Sequence, residues 1–191
     1  MKTNTSSQAP IPPPRSKILR SVTSHRENMK KIALALLLVA GFAAAGDLPN
    51  PKLTPGAINP EITQSNIQQT VCVKGFTKTI RPPAYYTNKL KKVQIVEYGY
   101  ADTDPKHYEE DHLIALSIGG DPRDERNLWP QPRNSEWSAA KKDQLEVVLY
   151  RSVCDGNVTL AEAQTAMATD WIAAYKRYVV GSRYKIKGRV D

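Results

Sequence analysis

The sequence predicts an α+β domain: a β-hairpin followed by a helix, an additional C-terminal helix, and small strands on the N-terminal side. Three observations predict it. Tyr108 to Pro130 carries an acid–imidazole pair, a short apolar run, a Gly119-Gly120-Asp121-Pro122 turn and then Asn127-Leu128-Trp129-Pro130. That is the pattern of two strands joined by a glycine-rich loop. Residues 135–153 place apolar side chains at helical spacing. Thr159-Leu160-Ala161-Glu162 reads as a capping box ahead of a second apolar stripe.

The first 45 residues read as something other than the domain. Residues 1–28 are polar and rich in Pro, Ser and Thr, with too few apolar side chains to build a core. They read as a disordered extension or an over-long start, with the true start at Met29. Residues 29–45 have the form of a secretory signal peptide: Lys30 and Lys31, an apolar run from Ile32 to Phe42, and small residues Ala43 and Ala45 before Gly46. The run falls short of the roughly 20 residues of a membrane span, though an uncleaved anchor is the alternative. The expected address is therefore exported, periplasmic or secreted. This region also carries most of the charge excess. The whole chain has 27 Lys and Arg against 19 Asp and Glu; residues 1–45 hold seven of the bases and one acid, leaving 20 against 18. The remainder is near neutral, so composition gives only weak grounds for nucleic-acid binding.

Two cysteines, Cys72 and Cys154, remain in the expected mature chain. An even count in an exported protein implies one disulfide, closing a loop of about 80 residues and adding roughly 4 kcal/mol; two buried thiols are the alternative. Too few Cys and His accompany them for a zinc site.

Residues 46–65, with Pro49, Pro51, Pro55, Gly56 and Pro60, read as an extended lead-in over the domain surface. A single domain is expected over residues 66–180. In 66–80 the alternation from Ile67 to Val73 reads as a short strand or two, ended by Arg81-Pro82-Pro83. Asn88 to Lys92 reads as a short polar helix or turn, and Val93 to Tyr100 as another strand or a loop wall.

The hairpin follows. Asp111 and His112 are expected at the start of its first strand, which continues through Leu113, Ile114, Ala115, Leu116 and Ile118. Adjacent strand residues point to opposite faces, so one of the pair can serve a metal while the other faces substrate. The return strand starts near Asn127.

The helix over 135–153 takes Asn134 or Ser135 as its N-cap. Trp137, Leu145, Val148, Leu149 and Ser152 face the core, while Ala139, Lys142, Asp143 and Glu146 share another face. The last helix runs from the capping box to about Val179 with Ala163, Met167, Trp171, Ala174 and Tyr178 inward. Residues 181–191 form a basic tail. Trp129 and Trp137 read as core, and His107 as a surface residue.

The order Asp111-His112, apolar strand, Gly119-Gly120, Asn127-Leu128, helix resembles the HNH family of nucleases, the ββα-metal fold. The segment from Cys72 to Asn88 is in addition similar to a group of exported bacterial HNH-like proteins. The resemblance implies a metal-dependent endonuclease hydrolysing phosphodiester bonds of DNA or RNA. It makes His112 the general base and Asn127 the residue that orients it through side-chain-to-backbone hydrogen bonds. Asp111 becomes a metal ligand. The chain lacks the Cys-x-x-Cys pairs and the third motif His of many relatives, so the last ligand is expected from the following helix. Asp143 is the first candidate, Asn134 and Glu136 are alternates, and Glu109 and Glu110 are also near. Carboxylate ligands favour Mg²⁺. Arg81, Arg126, Arg133 and Lys142 flank the motif and are candidates for substrate phosphates. The competing readings are a non-catalytic exported scaffold or binding protein that keeps this fold, and a phosphodiesterase acting on a small or lipid-linked phosphate.

Overall fold

The computed structural model describes residues 46–181. The extension 1–28, the signal-like segment 29–45 and the tail beyond Gly181 lie outside the described residues. None of the described helices is long and apolar enough to cross a membrane.

The domain is α+β, with one two-stranded antiparallel sheet and four α-helices among the described residues. In chain order these are α1 (Phe76–Ile80), α2 (Ala84–Glu97), β1 (Tyr108–His112), β2 (Leu128–Pro132), α3 (Ala139–Cys154) and α4 (Leu160–Tyr175). The strands pair from Tyr108 opposite Pro132 to His112 opposite Leu128.

The lead-in runs over the surface but also ties down the loop between the strands. Asn59 N–H donates to the Gly119 carbonyl, Asp121 N–H to the Ala57 carbonyl, and Gly56 N–H to the Arg126 carbonyl. Thr54 is buried, its hydroxyl bonded to the Leu128 carbonyl and the Tyr98 hydroxyl.

The strands expected in 66–80 do not form. Ile67 and Val71 are the buried residues there, four apart, while Val73 is exposed. Four is a helical spacing, and the segment makes a 3₁₀ turn at Ile67–Gln69 before α1. Gly75, at φ 84°, turns the chain into α1 in the left-handed region that favours glycine. The strand expected over Val93 to Tyr100 is likewise absent. α2 extends from the residue after Pro83 to Glu97, burying Leu90, Gln94 and Ile95 and leaving Val93 and Val96 in water.

The hairpin forms, displaced from its expected start. Asp111 and His112 end β1 rather than begin it, and the apolar run Leu113–Ile118 is a buried loop with a 3₁₀ turn at Leu116–Ile118. Every residue of that run is buried, so it has no solvent face to alternate with.

α3 begins later than expected, with Ser138 as N-cap, and buries Leu145, Val148, Leu149 and Ser152. Trp137 precedes it and packs edge-on against Trp171. The capping box opens α4: Thr159 Oγ1 accepts from Glu162 N–H, and Glu162 Oε2 accepts from Thr159 N–H. Ala163, Met167, Trp171 and Ala174 face the core as expected. The helix is interrupted at Asp170, whose extended φ of −164° breaks the ladder and whose Oδ1 caps Ile172 and Ala173 N–H. Cys72 and Cys154 form the disulfide, 82 residues apart, joining the segment before α1 to the end of α3.

Candidate active site

Within the loop after β1, one side chain bonds to the backbone at both ends. Asn127 is fully buried, and its Oδ1 accepts from Ile114 N–H at 2.9 Å while its Nδ2 donates to the Ile114 and Asp121 carbonyls, each at 3.0 Å. Gly120 sits against this clasp. A Cβ there would overlap the Ile114 carbonyl and approach Asn127 Nδ2 within 2.9 Å. The Gly-Gly pair is thus required by close approach at 120 and by a positive φ of 79° at 119.

The clasp sets the end of β1, where Asp111 and His112 diverge by strand alternation. Asp111 lines a polar cleft of about 330 Å³ together with Glu109, Asp143 and Glu146. Thr77, Lys78 and Arg81 form its opposite wall from α1 and the residue that ends it. His112 lies on the other face, 5 % exposed, with Nε2 3.1 Å from the Pro122 carbonyl. A carbonyl only accepts, so Nε2 carries the proton and Nδ1 the basic lone pair of a neutral ring. Burial holds the imidazole pKa below its ordinary value, partly offset by the Pro122 carbonyl; the Arg81 charge adds to the lowering. Arg81 therefore acts on both the cleft and the imidazole.

Under the cleft lies Lys142, with no exposed surface. Its Nζ is 2.7 Å from Asp111 Oδ2, 2.5 Å from Glu146 Oε1 and 2.6 Å from the His112 carbonyl. Burial works against its charge, but Asp111 and Glu146 outweigh it and hold the ammonium protonated above the ordinary lysine range. Glu146 is pushed up by burial, against the pull of Lys142. Glu109 is pushed up by burial and by Asp111, against the pull of Arg133.

The expected site residues divide as follows. Asp111, Asp143 and Arg81 meet in one cleft. Lys142 does not reach solvent, so the expected phosphate contact gives way to an internal ion-pair role. Arg126 is forked onto Asp124 in solvent, and Arg133 pairs with Glu109 and the Tyr108 carbonyl; neither lines the cleft. Of the alternates, Asn134 lines a separate hollow beside the Asp102–His107 pair, and Glu136 is exposed and outside the cleft. Glu110 turns to the His112 face, its carboxyl oxygens buried without a protein partner, and burial, then Asp111, push its pKa up to about 9.

Sequence reasoning missed Lys78, Thr77 and Glu146 as cleft residues. The i,i+4 spacing of Lys142 and Glu146 was a signal for that pair. Lys78 had none, because α1 itself was read as strand. A larger hollow, about 540 Å³, runs along α4 and the turn that follows it, from Ala161 to Tyr178; its walls are largely Ala and Thr, and it shares no residue with the cleft.

Among the described residues, no three His, Cys, Asp or Glu gather closely enough to form a complete ligand set. The cleft lining offers oxygen donors, the carboxylates of Glu109, Asp111, Asp143 and Glu146 and the hydroxyl-bearing Thr77 and Ser117, and oxygen suits a hard cation. Mg²⁺ in particular is held by one or two carboxylates with water filling its remaining positions, and Asp111 and Asp143 bring two carboxylates to the same cleft. No family model, curated protein or solved structure matches the chain.

Proposed function

We propose that the chain is a metal-dependent, HNH-like endonuclease that hydrolyses phosphodiester bonds of nucleic acid. The observation that carries the reading is the divergence of Asp111 and His112 at the end of β1. The acid joins a cleft with Asp143, and the imidazole is neutral with its tautomer set by the Pro122 carbonyl.

His112 acts as general base: Nδ1 takes the proton of the attacking water, and the Pro122 carbonyl stabilises the imidazolium that results. Asn127 keeps the loop carrying that carbonyl in place through its bond to Asp121. Asp111 and Asp143 hold a divalent ion, Mg²⁺ by their chemistry, which when bound supplies Lewis-acid stabilisation of the phosphoryl oxygens. Arg81, with Lys78 beside it, meets substrate phosphate at the opposite wall. Export to an oxidising compartment belongs to the same reading, from the signal-like segment 29–45 and the Cys72–Cys154 disulfide.

The test is cleavage of plasmid DNA and of RNA by the purified protein with Mg²⁺ or Mn²⁺. Activity is expected to vanish with chelator and in His112→Ala, whose folding is checked by circular dichroism. A second reading, a non-catalytic exported binding protein with this fold, is favoured by the 5 % exposure of His112. A folded wild-type protein inactive with every divalent ion decides for it.

A further inference from the structure

Lys142 has an environment unlike that of a surface lysine. Three oxygens surround its Nζ within 2.7 Å: one from Asp111, one from Glu146 and the His112 backbone carbonyl. Two carboxylates and a carbonyl about one buried point are the oxygen set that a hard cation takes. They also come from both sides of the hairpin–helix contact, Asp111 and His112 from β1 and Glu146 from α3. Without a cation there, two carboxylates would face each other at low solvent exposure, and leaving buried charge uncompensated is strongly destabilising.

We infer that Lys142 is a built-in cation, an ammonium filling the inner position between β1 and α3, so that hairpin and helix hold together without a divalent ion. Asp111 is then half engaged. Its Oδ2 belongs to Lys142, and only Oδ1 remains for an ion in the cleft. Any ion bound there is held weakly and singly, and serves chemistry rather than folding. The part about the cleft ion rests on the nuclease reading; the part about stability does not.

The experiment is thermal unfolding of the purified protein in chelator and in Mn²⁺, with Mn²⁺ binding followed by calorimetry. Wild type is expected to melt at the same temperature in both and to bind at most one Mn²⁺. Lys142→Met is expected to melt about 10 °C lower in chelator, to recover part of that loss in Mn²⁺, and to bind the ion at least tenfold more tightly. Lys142→Arg keeps the charge and is expected to remain insensitive to chelator. A wild-type melting temperature that falls several degrees on chelation overturns the inference, as does a Lys142→Met protein indifferent to Mn²⁺. If Lys142→Met does not fold, the wild-type and Lys142→Arg melts decide by the same criterion. Inactive protein with chelator-insensitive melting defeats the nuclease reading alone; active protein that unfolds on chelation defeats this inference alone.

Discussion

Asn127 and Ile114 are joined as a strand pair would be, but by a side chain: Oδ1 accepts the Ile114 N–H at 2.9 Å and Nδ2 donates to the Ile114 carbonyl at 3.0 Å. The amide substitutes for a neighbouring strand at the point where the chain leaves the sheet. It satisfies both backbone groups of Ile114 where the apolar loop enters the core.

Asn127→Ala removes that substitute and leaves the Ile114 N–H and carbonyl buried without the Asn127 amide, and the half-buried Asp121 carbonyl without its donor. The expected loss is about 3 kcal/mol or more, measured by urea unfolding. Asn127→Asp keeps the acceptor but not the donor. It turns a carboxylate toward the Ile114 and Asp121 carbonyls, so it is expected to be at least as damaging above pH 5.

Gly120 and Gly75 offer a contrast within one protein. A Cβ at Gly120 meets the backbone of Ile114, whereas at Gly75 nothing lies within 4 Å and only the positive φ resists. Gly75→Ala is expected to cost about 1–2 kcal/mol. Gly120→Ala has no room unless the loop moves, and is expected to unfold the protein or cost over about 3 kcal/mol. Denaturant melts of the two variants check the order.

Glu110 is expected to make stability fall as pH rises. Its folded pKa, about 9, lies above its ordinary value of 4.5. The native state therefore binds the extra proton between those two values, and stability declines as pH rises across that window. The decline by pH 7 is at most about 3 kcal/mol. Glu110→Gln is expected to flatten the profile and to raise stability at neutral pH, with melts recorded in chelator from pH 5 to 9.

His112 bears on the acid limb of activity. Under the nuclease reading the base works deprotonated, and burial holds the His112 pKa below the ordinary 6.5. The fall of kcat/KM on acidification is therefore expected to have its midpoint below pH 6.5, and activity to persist at pH 6.5 and above. A midpoint above 7 would assign the base to another group.

What the sequence determined by itself was local. The Thr159–Glu162 capping box, the inward stripe of α4 and the glycine loop between two strands follow from residues within a few positions of one another. The Cys72–Cys154 link was also legible, since a lone pair of cysteines has few partners open to it, and the side-chain-to-backbone bonding of Asn127 was implied by the resemblance of the motif. Tertiary structure decided the rest. Ile67 and Val71 fit alternation as well as helical spacing, and only the surface they pack against selects the helix. Asp111-His112 end a strand rather than begin one because the buried loop after them faces apolar neighbours on every side. Lys142 reads in sequence as a candidate contact for substrate phosphate. Its role exists only because α3 packs under β1 and encloses the ammonium between two acids, and low dielectric then makes that pairing matter.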